Sequence, residues 1–267
     1  MIIIAIIYYF WQSKEVPVES NITNTETVEV VTDSVSVDVT AAQELFNLPS
    51  EIGNQIIVRP YYTLSYNNTH EQADWVAYTI YPLHDSLRVK RKDRFREDPM
   101  VLSGSATLKD YKGSGYDRGH LAPSKAMSFS TEAMDASFFM SNMSPQLPGF
   151  NRGIWKKLEA QVLDWSKKSD SLYVVTGPVF DSPIGTIGEN KVTIPNSYYK
   201  TIIRFKDNSI SGLAFLLENK KSSASYFDYV TSIDSIEKVT GIDFYHLLNS
   251  EEQNRIEANK DLVKFIN

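Results

Sequence analysis

Residues 151–168 carry one apolar stripe, Ile154, Trp155, Leu158, Val162 and Trp165, at the spacing of a helix that buries a single face. Pro148-Gly149 opens it, with Asn151 at or near the cap. Segments of another kind lie on both sides. Residues 56–58, 61–65 and 75–81 before it, and 171–176, 197–205 and 210–217 after it, are rich in β-branched and aromatic side chains and read as strands. Shorter helices are expected at 131–137, 232–239 and 250–265, and a strand over 138–140 leads to Asn142. Strands followed by mixed strands and helices make an α+β domain in which a central antiparallel sheet supports flanking helices.

The chemistry concentrates in residues 116–123, Tyr-Asp-Arg-Gly-His-Leu-Ala-Pro, approached through Lys112-Gly113-Ser114-Gly115. Histidine is the side chain best suited to take a proton near neutral pH. Arginine is the one best shaped to grip a phosphate. A base and a phosphate clamp two residues apart point to phosphodiester chemistry.

Downstream, Asn142-x-x-Pro145-Gln146 is followed by Asn151-x-x-x-Trp155-x-x-Leu158-Glu159. In this order the three motifs resemble the sugar-non-specific DNA/RNA endonucleases, the ββα-metal nucleases that include endonuclease G. Residues 94–99, 175–178, 194–200 and 232–244 extend the resemblance over roughly residues 55–250. It implies the ββα-metal fold and cleavage of both DNA and RNA to 5′-phosphate ends. The implied ion is Mg²⁺, with Mn²⁺ as its substitute. A nuclease fold that binds without cutting, or acts on another phosphate ester, is the competing reading; intact His120, Asn151 and Glu159 argue against the first. A homodimer is compatible with the resemblance.

The resemblance also assigns roles. His120 becomes the general base, neutral at working pH. Asn151 becomes the metal ligand; the residue alone would favour a helix cap. Glu159, eight residues on and so on the same side of a regular helix, would hold metal-bound waters, or pair with a nearby lysine at the surface. Asn142 would orient the site by hydrogen bonds, or simply shape a turn. Arg118 contacts phosphate or braces the motif. Arg91 and Arg94 compete for the upstream catalytic arginine, and Arg94 and Lys125 are candidates for substrate contact. Asp117 orients the motif, and Gly119 gives the backbone room beside His120. The remaining histidines, His70, His84 and His246, have no ligand spacing, and the absence of cysteine excludes thiolate zinc sites.

A net charge of −6 looks wrong for such an enzyme until it is divided. Residues 1–50 hold seven acids against Lys14 alone, so the remainder is neutral. Between Arg88 and Lys125, ten bases face five acids, a local excess that attracts backbone phosphate. Residues 2–11 are apolar, shorter than a spanning helix, and resemble a signal or anchor core. We therefore expect a signal or anchor at 1–12, an acidic disordered linker at 13–45 and a nuclease domain at 46–267, in an extracytoplasmic protein that the first segment can attach to a membrane.

Overall fold

The computed structural model describes residues 29–32, 48–50, 53, 55–85 and 88–266. Strands β1 (Glu29–Thr32), β2 (Gln55–Val58), β3 (Thr63–Asn67), β4 (Gln72–Ile80), β7 (Ser171–Val179), β10 (Ser197–Lys206), β11 (Ser209–Glu218) and β12 (Val230–Thr231) form one sheet in the order β1-β2-β3-β4-β7-β10-β11-β12. Every pairing is antiparallel except β1 with β2. The expected central antiparallel sheet is there. Within the stretch read as linker, Glu29–Thr32 instead add a parallel edge strand; the rest of residues 1–45 lie outside the described residues.

Alternation along the strands divides the core into two faces. On one face Val76, Tyr78, Leu172, Val174, Tyr198, Ile202, Leu213 and Phe215 meet Leu158, Val162 and Trp165 of helix α3 (Lys156–Ser166). On the other, Trp75, Ala77, Tyr173, Val175, Tyr199 and Ile203 meet Ile233 and Ile236 of α4 (Ile233–Thr240) and Ile256 of α5 (Ser250–Glu257). Both faces being covered explains why the central strands read as almost continuous apolar runs. Helices α1 (Leu108–Tyr111), α2 (Thr131–Ala136) and α6 (Leu262–Ile266) are short additions.

A separate two-stranded sheet, β5 (Asp117–His120) with β6 (Met143–Gln146), lies over the α3 face, and a second short pair is β8 (Gly185–Ile187) with β9 (Val192–Ile194). Tyr198 and Asn219 fix the β5–β6 pair to the main sheet, donating to the Pro145 carbonyl at 2.9 and 3.0 Å. The Asp-Arg-Gly-His run is thus itself a strand. The strand expected over 138–140 falls elsewhere: Met140–Asn142 is a 3-10 turn, and pairing begins at Met143. Likewise the helix expected over 151–168 is regular only from Lys156. Phe150–Trp155 forms a wider π turn, with Gly153 leaving helical geometry at φ −103° and ψ −112°. Helix 250–265 divides into α5 and α6.

Candidate active site

Three pieces of chain converge above the α3 face into a cleft of about 750 Å³: the loop carrying Arg88 to Phe95, strand β5, and the π turn leading into α3. Strand alternation turns Arg118 and His120 to one side of β5. Six cations, Arg88, Arg91, Arg118, Lys125, Arg152 and Lys156, line the cleft with three acids, Asp93, Asp117 and Glu159. The local excess is positive although the molecule is acidic. Asp98 pins the first piece in place: its carboxylate accepts from Arg59 at 2.5 Å, from the Ser141 hydroxyl at 2.5 Å and from the Met100 amide at 2.9 Å.

His120 is half-buried between aromatic rings, with Phe95 at 5.7 Å and Phe138 edge-on at 5.0 Å. Burial, then the nearby Arg91 and Arg118 charges, push its pKa down to about 3 against a smaller opposing pull from Asp93. The imidazole is neutral at pH 7. Its Nε2 is enclosed with no hydrogen-bond partner in the protein. An enclosed polar atom without a protein partner is a place where water or a ligand belongs.

The Asn151 side chain does not cap a helix. Its Nδ2 donates to Asp117 Oδ2 at 2.9 Å, and α3 begins at Lys156 without a side-chain cap. Arg152 clamps the same carboxylate through Nε at 2.8 Å and Nη2 at 2.5 Å. Holding the amide nitrogen this way leaves Oδ1 as the atom Asn151 can offer. With Asp117 and Glu159 on the same cleft, the available ligands are all oxygens, which suits a hard divalent cation. There is no cage of three carboxylates here, so such an ion would keep waters and take oxygens from a phosphate. The residues fit that kind of ion.

Glu159 reaches the cleft in spite of the broken helix, so the eight-residue spacing is not the reason it does. Burial raises its pKa, opposed by Lys200, Arg91 and Lys156. Lys200 escaped notice in the sequence. It is wholly buried on β10, its ammonium 4.9 Å from the Trp155 ring centre and bonded to the Thr176 hydroxyl; burial lowers its pKa and Glu159 holds it up. The signal available was a lysine at a core-facing strand position between Tyr198 and Ile202, where a buried charge needs a partner. Arg152 was missed too, because an arginine beside a helix start usually faces only water.

The arginines separate. Arg91 lines the cleft, bonded to Asp93 at 2.6 Å and Ser124 at 3.0 Å. Arg94, expected at the catalytic or substrate position, does not line it; Asp135 draws it away at 3.1 Å. Arg118 lies 4.2 Å over the Phe95 ring, and Lys125 is exposed at the cleft. Asn142 does not line the cleft either. Fully buried beneath it, Asn142 accepts from the Ala122 amide at 2.8 Å and donates to the Ala122 and Ser137 carbonyls at 3.0 and 2.9 Å. It braces the chain leaving His120. At Gly119 a Cβ would stand 2.1 Å from the Gln146 side chain, so the room is needed across the β5–β6 pair.

A family model of DNA/RNA non-specific endonucleases matches residues 41–251. The chain belongs to this family. It is 35% identical over 223 residues to a nuclease of Nostoc sp., spanning 78% of this chain and 79% of the relative. It is 32% identical over 207 residues to human mitochondrial endonuclease G, spanning 71% and 69%. A chain in the crystal structure of the EndoG/EndoGI complex superposes with a TM-score of 0.73, covering 85% of this chain and 99% of that one at 24% identity, a likeness of fold. The protein is thus a metal-dependent endonuclease of the ββα type that hydrolyses phosphodiester bonds in nucleic acid.

Proposed function

We propose that this nuclease cleaves DNA and RNA with His120 as general base and Mg²⁺, or Mn²⁺ in its place, held through Asn151. The observation that carries the reading is a neutral imidazole with an unpartnered nitrogen inside a cationic cleft. A neutral ring can accept the proton of a water attacking phosphorus; a protonated one cannot. Arg118, Arg91 and Lys156 line the cleft and would offset the charge of a backbone phosphate, which is common to every sequence and to both sugars. Asp117, fixed by Arg152, keeps the Asn151 amide turned so that its oxygen is free, and Glu159 is close enough to the cleft to orient waters. A bound Mg²⁺ would supply charge stabilisation at the phosphate and the leaving oxygen.

The test is His120→Ala. Cleavage of plasmid and of RNA should fall by about 10²–10⁴-fold while filter-bound nucleic acid is retained almost as before. A variant that keeps more than about a tenth of the rate would reject the assignment.

We further infer an extracytoplasmic location and a division into segments 1–12, 13–45 and 46–267, supported by the apolar start and the acidic composition after it. Among the described residues no helix is long and apolar enough to cross a membrane; the attachment we propose is through the apolar first segment. Fractionation of cells expressing the full chain decides the location; light scattering decides between monomer and homodimer.

A further inference from the structure

The sheet face turned away from the cleft carries its own group of carboxylates. Asp234 and Glu237 stand one turn apart on α4, and Glu257 ends α5; one oxygen from each lies within 4.8 Å of the others. Two ligand oxygens on a common Ca²⁺ can be at most about 5 Å apart, since each sits about 2.3–2.6 Å from the ion. The spacing is within the reach of one shared ion.

Clustered acids are common at protein surfaces, and what distinguishes these is Glu257. It is only 5% exposed, and its Oε1 is enclosed without a hydrogen-bond partner. A buried carboxylate normally finds a donor or a cation. Here the charges acting on it are all of its own sign, Glu237, Asp234 and Asp243, with partial relief from Gln253. One Glu237 oxygen accepts from the Phe244 amide at 2.8 Å, which fixes that side chain. Asp234 is exposed, so an ion could enter from solvent.

We propose that Asp234, Glu237 and Glu257 form a second divalent-cation site of Ca²⁺ type, which clamps α4 to α5 and takes no part in cleavage. All-oxygen, flexible, partly solvent-open ligation favours Ca²⁺ over Mg²⁺, whose octahedron is stricter. The site is separate from the cleft, because Ile233, Ile236 and Ile256 pack on the sheet face opposite α3.

Calorimetric titration and thermal unfolding with CaCl₂ alone test this on the full chain. Asn151→Ala serves as the background, so that binding in the cleft does not confuse the count. That protein should bind one Ca²⁺, and its Tm should rise by about 2–4 °C when the ion is in tenfold excess over Kd. Adding Asp234→Asn and Glu237→Gln should abolish both the heat and the shift. The same pair in the otherwise unaltered chain should cleave nucleic acid at the parental rate, which also shows that it folds. Equal Ca²⁺ binding and equal Tm shift with and without the pair would overturn the proposal. So would an Asn151→Ala protein that binds no Ca²⁺ and is stabilised by Glu257→Gln, because Glu257 would then be only a buried neutral acid.

Discussion

Glu159 and Glu257 are the same residue type lifted by the same cause, burial, on opposite faces of one sheet, and they differ in company. Glu159 is surrounded by cations, Lys200 beneath it and Arg91 and Lys156 beside it. Glu257 is surrounded by acids. Burial alone therefore does not say what a carboxylate is for. The sign of its neighbours does: cations offset part of that lift at the cleft, while acids add to it at the other glutamate, which is left to hold a proton or a metal ion.

The sharpest way to break this comparison is to remove the cation from the first pair. Lys200→Met should strand the Glu159 charge and lower unfolding free energy by about 3–5 kcal/mol in urea titrations at pH 7. Unchanged stability would mean that Lys200 does not compensate Glu159. Next in size, Glu159→Gln should slow cleavage by about 10–100-fold, the usual loss when groups ordering a metal's surroundings are removed. Glu257→Gln should leave the rate where it was. Equal effects from the two substitutions would erase the distinction between the faces.

The third effect belongs to His120, whose burial works in the opposite direction. The unfolded chain takes up a proton near pH 6.5, whereas the folded protein refuses it until about pH 3. More protons on the unfolded state means that stability is lost as pH falls through 6.5 toward 3. At pH 4.5 the wild type should have lost about 2.5 kcal/mol more, relative to pH 7, than His120→Ala loses over the same interval. Parallel losses in the two proteins would show that the imidazole protonates freely.

Much of this is legible in the sequence. β-Branched and aromatic runs predicted the central strands, and the resemblance carried by the three motifs pointed to His120, Asn151 and Glu159, which line one cleft. The π turn was hidden because Ile154 and Trp155 still face the core, so the apolar stripe continues through a break that changes the backbone. Asp117 and Arg152 join residues 35 positions apart, and no local pattern announces such a pair. Lys200 was disguised by its place near other strand residues. Arg91 and Arg94 could not be told apart because what separates them is Asp135, a residue distant in sequence that draws Arg94 from the cleft.

The central claim, that this cleft cuts nucleic acid with a cation held through Asn151, is tested most directly by the Mg²⁺ dependence of plasmid cleavage in the wild type and Asn151→Ala. Excess chelator should silence the wild type, and the variant's Mg²⁺ midpoint should rise by about tenfold or more with thermal stability little altered. Cleavage that persists in chelator, or a variant that loses stability yet keeps the wild-type Mg²⁺ midpoint, would contradict it.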